Sequence, residues 1–426
     1  GREPREFLTY VSTVAGTGKP GNQDGEARAA QFSSPAGVFA DHKGRLFVAD
    51  TGNHSVREIT PEGKVRTLSS AFQDPWDLGM DGIGLLVVSD RAQTLSDGGG
   101  SINHVVTDGV LKGTVIRLVG KAGFPPKSDF GLCAITAGYC DGRTPMAQMT
   151  WASGIDVHGG LILATQWAWS SVRAITPDGM VMTLKSWGTG CGANKLGGAY
   201  DVALGNRGEV YFTTGCHVVN VIQPDGTWRV LAGKLGDELG FKDGRGDEAR
   251  FSHPAGLVFD GENHLFLTES TNSLIRRVDT RTGDVVRVAG CLSRTEGFDC
   301  KDPTGLRDGP GDYALFYGPE NLAMTRWGDL YVADTRNHAV RMIRITADPD
   351  RVPTVTRIRP LAVQKGAKTT VTVTGRSLGL TREVDLGPGV KAEVKQRGFR
   401  YLKLAVEVAE DAQPVGVFDE LLIKIE

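Results

Sequence analysis

A chain of 426 residues with 40% hydrophobic and 23% charged residues has the composition of an ordinary globular protein, with enough apolar mass for large cores. Its formal charge of −2 supplies no general attraction to nucleic acid or to an anionic membrane, and no run of eighteen apolar residues is present to span a bilayer. The 57 glycines punctuate the chain so often that many short elements joined by tight turns are expected. The chain starts at Gly1 without a basic and then apolar leader, which is the expectation for a mature or trimmed product.

The first apolar run is VSTVAG, Val11 to Gly16. A three-part pattern follows six times. Unit one reads PAGVFAD from Pro35, GRLFVAD from Gly44 and SVREI from Ser55. Unit two reads PWDLGMD from Pro75 and GLLVVSD from Gly84, then INHVVTDG from Ile102 after a Gly-rich insertion at Gly98 to Gly100. Unit three has SGIDVHG, GLILATQ and SVRAI, and unit four has AYDVALG, GEVYFTT and VVNVI. Unit five has PAGLVFD, NHLFLTE and LIRRV, and unit six has PENLAMT, GDLYVAD and AVRMI. Such short β-branched and aromatic runs between turn residues predict strands. A fourth run, VRTLSS, VIRLVG, VMTLKS, WRVLAG or VVRVAG, closes each of the first five units. Unit six lacks one, and VSTVAG at the other end of the chain is the missing run. Pairing the first strand with the last unit would remove a free sheet edge.

Between units, Asp-Gly recurs at Asp24, Asp141, Asp243 and Asp308, each followed at fixed spacing by Ala and a large apolar residue. Asp-Gly forms turns, and the apolar pair is expected to plug the next unit. The assembled pattern, DG…A.F..P.G…G.LYVAD..NH.VR.I…G.V.T.AG, resembles the NHL repeat over Phe7 to Ile345. The resemblance implies an all-β, six-bladed β-propeller closed by its N-terminal strand, over residues 1–350. Tryptophan-aspartate repeats are the rival, but Trp76-Asp77 opens a first strand, where that family does not place its dipeptide. The acid after the second strand (Asp50, Asp90, Glu269, Asp334) and the Arg of the third (Arg57, Arg173, Arg276, Arg341) recur in most units. Residues needed in most blades hold blades, so these, and the Asn53-His54 and Asn337-His338 pairs, are read as structural rather than metal-ligating.

After Asp350, Pro353, Pro360 and the alternating TTVTVTG mark a second all-β piece over residues 351–426. This stretch resembles the start of an IPT/TIG domain, which implies a small immunoglobulin-like β-sandwich. YLKLAVEVAE and ELLIKIE supply its closing strands.

The six cysteines fall into sequence-local pairs with no C-x-x-C, against a zinc ribbon or a thioredoxin-like site. Fifteen connectivities are possible. Short loop closure favours Cys133 with Cys140, Cys191 with Cys216, and Cys291 with Cys300. Buried free thiols are the alternative. Disulfides imply a secreted, periplasmic or cell-surface location.

No G-x-S-x-G, H-E-x-x-H, P-loop or EF-hand spacing occurs. Departures from the repeat are therefore the guide to function. First strands open on Ala36-Gly37 and Ala255-Gly256 in the plain units, but on Trp76-Asp77, Ser153-Gly154, Tyr200-Asp201 and Glu320-Asn321 in the others. Trp76, Asp77, Ser153, Tyr200, Asp201, Glu320 and Asn321 are expected at a channel mouth, either as packing or as a site for a ligand, sugar or cation. Trp151, Trp167 and Trp169 are either core between blades or an exposed platform for a glycan or protein. The leading reading is a non-enzymatic extracellular or cell-surface binding or scaffold protein with a protein or glycan partner. A metal-dependent lyase or hydrolase with calcium or zinc at the axis, as resemblance to amidating-lyase propellers implies, is the first alternative. A self-assembling subunit of a surface layer or filament is the second.

Overall fold

The structure is a computed structural model. It describes residues 7–91, 100–120, 141–144, 147, 149, 151–188, 190–192, 195–236, 239–292, 304–325, 327–347, 354–359, 366, 368–376, 390–398 and 401–409. Contacts divide the chain into two compact units. One comprises Ser12–Met324 with Tyr331–Met342, and the other Gly1–Val11, Thr325–Leu330 and Ile343–Glu426.

The regular structure is antiparallel sheet with a few short 3₁₀ turns. Each repeat of the sequence folds as one sheet of four or five strands. The first strands are Gly37–Ala40, Pro75–Met80, Ala152–His158, Ala199–Leu204, Pro254–Phe259 and Pro319–Met324. Each touches the next, and the sixth touches the first, so they form a closed ring. The second strands are largely covered; Leu46–Asp50, Leu86–Asp90 and Val210–Thr214 are buried at every position, and the other three have one partly exposed residue each.

The apolar cores lie between neighbouring sheets. Val48, Ile59 and Val65 pack with Ala323, Ala333 and Val340, across the first and sixth sheets. Ala249 and Phe251 join Leu257 of their own sheet to Tyr211 and Val219 of the one before. The Ala and aromatic residue after Asp-Gly therefore act as plugs, as their spacing predicted. Phe7–Ala15 lies between Gly309–Pro310 and Ala339–Ala347 in the last sheet. The N-terminal strand thus fills the place that the repeat left open.

A hydroxyl from each sheet reaches the first strand of the next. Thr51, Ser89, Thr165, Thr213, Thr268 and Thr335 donate to the carbonyls of Pro75, Ser153, Tyr200, Ala255, Glu320 and Pro35 at 2.6–3.0 Å. These buried carbonyls face a neighbouring sheet, where no ladder bond is available, and the hydroxyls satisfy them.

The repeated acids and arginines are structural. Arg341 is fully buried and donates to Asp334 at 2.7 Å, to Asp308 at 2.9 Å and to the Leu315 carbonyl. Asn337 donates to Asp334 and to Gly305 O. The same arrangement joins Arg57 to Asp50 and Asp24, and Arg276 to Glu269 and Asp243. In the third sheet Gln166 replaces the acid and bonds Arg173. In the second sheet Asn103 stands where the arginine would be, and Asp90 keeps only the capping bonds, accepting from the Gln73 and Asp74 amides as Asp50, Glu269 and Asp334 accept from Ser33, Ser252 and Tyr317. Sequence reasoning treated the Asp of Asp-Gly as a turn former alone. It is also the second acid of each bridge, and it caps the outermost strand at Thr67, Thr183 and Arg287. The adjoining Gly25, Gly142, Gly244 and Gly309 have φ of +133 to +151°, a region closed to other residues.

His54 and His338 sit in the left-handed region. His338 accepts from Ser34 N, and His217 from His253 N, so these rings fix the loop of the next sheet. Cys191 and Cys216 form a disulfide closing 25 residues, and Cys291 is also disulfide-bonded. Cys133, Cys140 and Cys300 lie outside the described residues.

In the other unit, Thr354–Arg359, Lys368–Arg376, Tyr401–Val408 and Val390–Gly398 form one antiparallel sheet in that order. Val371, Val373, Leu404 and Val406 alternate onto its buried face. The ELLIKIE run lies outside the described residues.

Arg341→Ala strands Asp334 as an unpaired buried charge and should cost about 3–5 kcal/mol. Lys64→Ala removes an exposed pair with Glu26 and should cost under about 1 kcal/mol. Urea denaturation of both variants measures the contrast. Removing residues 1–16 strips Ala339–Ala347 of one neighbour, at about 1 kcal/mol per lost hydrogen bond. The truncated chain should unfold at lower urea and associate through the opened edge, read by light scattering.

Candidate functional site

The six first strands bring one residue each to the same level of the ring: Gly37, Asp77, Gly154, Asp201, Gly256 and Asn321. Small and polar residues alternate. A Cβ at Gly154 would stand 2.4 Å from Asp201 Cα, and one at Gly256 would stand 2.5 Å from Asn321 Cα. Glycine in alternate strands therefore permits the close approach that brings the other three side chains together. The preceding residue follows the same alternation, being Ala36, Ser153 and Ala255 before glycine but Trp76, Tyr200 and Glu320 before Asp or Asn. Six similar sheets thus present a ring with threefold character.

Asp77 accepts from Ile155 N and Leu78 N, both at 2.7 Å. Asp201 accepts from Leu257 N at 2.6 Å and Val202 N at 2.8 Å. The Asn321 amide donates to Asp77 Oδ1 at 3.0 Å and to Asp201 Oδ2 at 3.4 Å. All three side chains are buried. Burial pushes the Asp77 carboxyl up to about 7. Burial, and then the charge of Asp77, pushes Asp201 well above the carboxylate range. The two carboxyls titrate as a pair, and full ionisation of both at neutral pH is opposed. The ring borders a cavity of about 430 Å³ that runs toward the far ends of the first strands, where Phe39, Asp156, His158 and Phe259 line it.

Trp76, Tyr200 and Glu320 belong to the opposite side of the ring, where the strands begin. The Arg91 guanidinium lies 3.2 Å from the Trp76 ring centroid. Its Nε is 3.4 Å from Asp74 Oδ2. Burial lowers the Arg91 pKa, against the pull of Asp74 and Glu320. The Tyr200 phenol hydrogen-bonds Trp167, which stacks on Trp151 with centroids 4.9 Å apart. His253 tilts against Tyr200 at 5.7 Å. Glu320 is partly buried. Desolvation pushes its carboxyl up to about 7, with Arg91 and Arg336 opposing, and no described residue donates a hydrogen bond to it.

Seven residues were expected at one mouth. The structure divides them into a lining ring of Asp77, Asp201 and Asn321 and an entrance of Trp76, Tyr200 and Glu320. Ser153 is buried, with its hydroxyl toward Trp151 O at 3.3 Å. Trp151 and Trp167 are stacked together beside the entrance, and Trp167 is 39% exposed. Trp169 is partly buried in the same loop. Arg91 escaped sequence reasoning because nothing in RAQ distinguishes it from a surface arginine. Among the described residues, no group of three or more His, Cys, Asp or Glu is arranged to hold a metal ion.

Residues 352–419 match the family described as quinohemoprotein amine dehydrogenase, alpha subunit domain III. Over 361 residues the chain is 26% identical to protein SUPPRESSOR OF QUENCHING 1, chloroplastic, of Arabidopsis thaliana, covering 80% of this chain and 28% of that protein. It is 24% identical over 347 residues to NHL repeat-containing protein 2 of Homo sapiens, covering 76% of this chain and 40% of that one. The chain therefore spans well under half the length of these relatives. Among solved structures, an auxiliary nutrient binding protein from Bacteroides ovatus is similar with a TM-score of 0.59 and 17% identity, over 80% of this chain and 77% of that one. A protein of unknown function from Bacteroides thetaiotaomicron is similar with a TM-score of 0.61 and 17% identity, over 80% and 76%. The fold is an all-β propeller of the NHL type.

Glu320→Gln gives a clean test of the entrance electrostatics, because Glu320 accepts no hydrogen bond that the amide would lose. The folded pKa, about 7, lies above the usual 4.5. The contribution of Glu320 to stability is therefore full below about pH 4 and is lost as pH rises through about 7. The Tm of the variant should fall less than that of the parent between pH 5 and pH 8, as thermal melts at both values would show.

Proposed function

We propose that this chain is a non-enzymatic binding module that takes a small polar ligand, or the polar tip of a larger partner, at the channel entrance. The observation that carries this reading is the opposition of Arg91 and Glu320. Both groups are largely withdrawn from water, they attract each other electrostatically, and no hydrogen bond joins them. Desolvating charged groups is costly. A ligand that bonds to both recovers that cost, while the Trp76, Tyr200 and Trp167 rings around them supply apolar contact.

The rest of the architecture is assigned within the same proposal. The six sheets are the blades of one propeller over residues 1–350. Residues 351–426 are an immunoglobulin-like module of the IPT/TIG kind, serving as spacer or interaction surface. The match to a domain from a multidomain dehydrogenase subunit supports an accessory role for this piece. The Cys191–Cys216 disulfide supports a secreted, periplasmic or cell-surface location. The similarity of fold to an auxiliary nutrient binding protein is in keeping with binding.

A thermal-shift screen of saccharides, amino acids, amines and carboxylic acids tests the proposal, run on the parent, Glu320→Gln and Trp167→Ala. The expected result is a compound that raises the parent Tm, raises that of the variants less, and is recovered unchanged by mass spectrometry. Conversion of the compound would make the chain an enzyme. Equal stabilisation of all three proteins would remove the site from the entrance.

A further inference from the structure

A second site lies on the other side of the ring from the entrance. There the cavity of about 430 Å³ has Asp77, Asp201 and Asn321 at its inner end, with Phe39, Leu204, Phe259 and Met324 farther out. Asn321 is 6% exposed. Its amide nitrogen donates to both carboxyls, at 3.0 and 3.4 Å, while no described residue donates to its Oδ1. The carboxyl oxygens are unequally used. Asp77 Oδ1 accepts from Leu78 N and Asn321, and Asp201 Oδ2 accepts from Leu257 N and Asn321. Among the described residues, Asp77 Oδ2 accepts only from Ile155 N at 2.7 Å, and Asp201 Oδ1 only from Val202 N at 2.8 Å. Such an oxygen has room for two hydrogen bonds. Three oxygens, one on each of three alternate strands, therefore keep acceptor capacity.

The charged and titratable groups lining this cavity are Asp77, Asp156, Asp201 and His158, with no Lys or Arg. Asp156 Oδ2 accepts from Leu204 N at 2.6 Å and pairs with His158 Nε2 at 2.9 Å, so His158 offsets one acid at most. Across the ring, the entrance carries Asp74 and Glu320 against Arg91 and Arg336, two of each sign.

We propose that this cavity takes a primary alkylammonium, its head hydrogen-bonded to Asp77 Oδ2, Asp201 Oδ1 and Asn321 Oδ1 and its hydrocarbon tail lying along Phe39, Leu204 and Phe259. An ammonium carries three N–H donors, one for each open oxygen. A guanidinium carries five in a rigid plane, and calcium takes six to eight oxygens. Among the described residues no His, Cys, Asp or Glu group is arranged for a metal ion. The apolar outer walls match a hydrocarbon tail and not a hydrated ion. Burial and mutual repulsion hold a proton on the two carboxyls. The incoming cation takes the place of that proton, which leaves to solvent. Affinity therefore rises with pH while the amine, with a pKa of about 10.4, stays charged. Loss of a proton from His158 acts in the same direction.

Calorimetry on the full chain at pH 5.5 and pH 8 tests this with n-hexylammonium, n-butylammonium, 1-hexanol and calcium chloride. Hexylammonium should bind the parent tenfold or more tighter at pH 8 than at pH 5.5, and tighter than butylammonium. Hexanol at pH 8 should bind tenfold or more weaker than hexylammonium. Asp201→Asn should lose tenfold or more for hexylammonium, and His158→Gln should keep the rise with pH. Thermal melts show whether each variant is folded; if Asp201→Asn is not, the comparison of hexanol with hexylammonium on the parent decides. Hexanol binding as tightly as hexylammonium overturns the proposal, because the carboxyls then take no part. So does hexylammonium binding that a folded Asp201→Asn keeps, or that calcium displaces at equal concentration. Absence of hexylammonium binding at both pH values overturns it as well.

Discussion

The buried bridge between the third-strand arginine and two acids is the interaction on which the sheets depend. Arg57, Arg276 and Arg341 each join the acid that ends the second strand to the Asp of the Asp-Gly loop. One guanidinium thus connects two strands and the incoming loop. It also lies over a plugging phenylalanine, with Arg341 5.0 Å from the Phe316 centroid. Burial pushes the Asp50, Glu269 and Asp334 carboxyls up even with the arginine present. Desolvation on that scale means that the bridge contributes geometry more than net stability. Its loss would be severe all the same, because an unpaired charge would stay behind.

Neighbouring sheets are joined by a different device. Six hydroxyls reach six first-strand carbonyls, and apolar clusters fill the wedges between sheets. At the inner edge Asp77 and Asp201 also join sheets, each accepting from a backbone amide of the next first strand. Glycine in alternate strands then lets Asp77, Asp201 and Asn321 meet. The unfavourable electrostatics are gathered in this inner region. The raised carboxyls of Asp77, Asp201 and Glu320 sit around the channel.

Much of this was legible in the chain. The period of the strands, the missing fourth run of the last unit and the recurrence of Asp50, Arg57 and their counterparts followed from sequence, because each is a local pattern repeated in register. The structural reading of the Asn-His pairs held for the same reason. The Asp of Asp-Gly was half legible. Its turn was evident, but its bond to an arginine some 33 residues away was not. The alternation of Gly with Asp or Asn was printed in the sequence too, yet it gains meaning only when six strands stand side by side.

What the sequence by itself determined is the blade. Strand length, turn chemistry, plug residues and the buried Arg–acid bridges are set by residues within one repeat and its connecting loop. Only the tertiary structure decided how blades share the channel. It divided the seven expected mouth residues into a carboxyl ring and an aromatic entrance, turned Ser153 inward, and brought Arg91 onto Trp76 beside Glu320. The physical reason is distance along the chain. Asp77 and Asn321 are 244 residues apart yet share a hydrogen bond, and no local pattern records which side chains closure of a ring will place within reach.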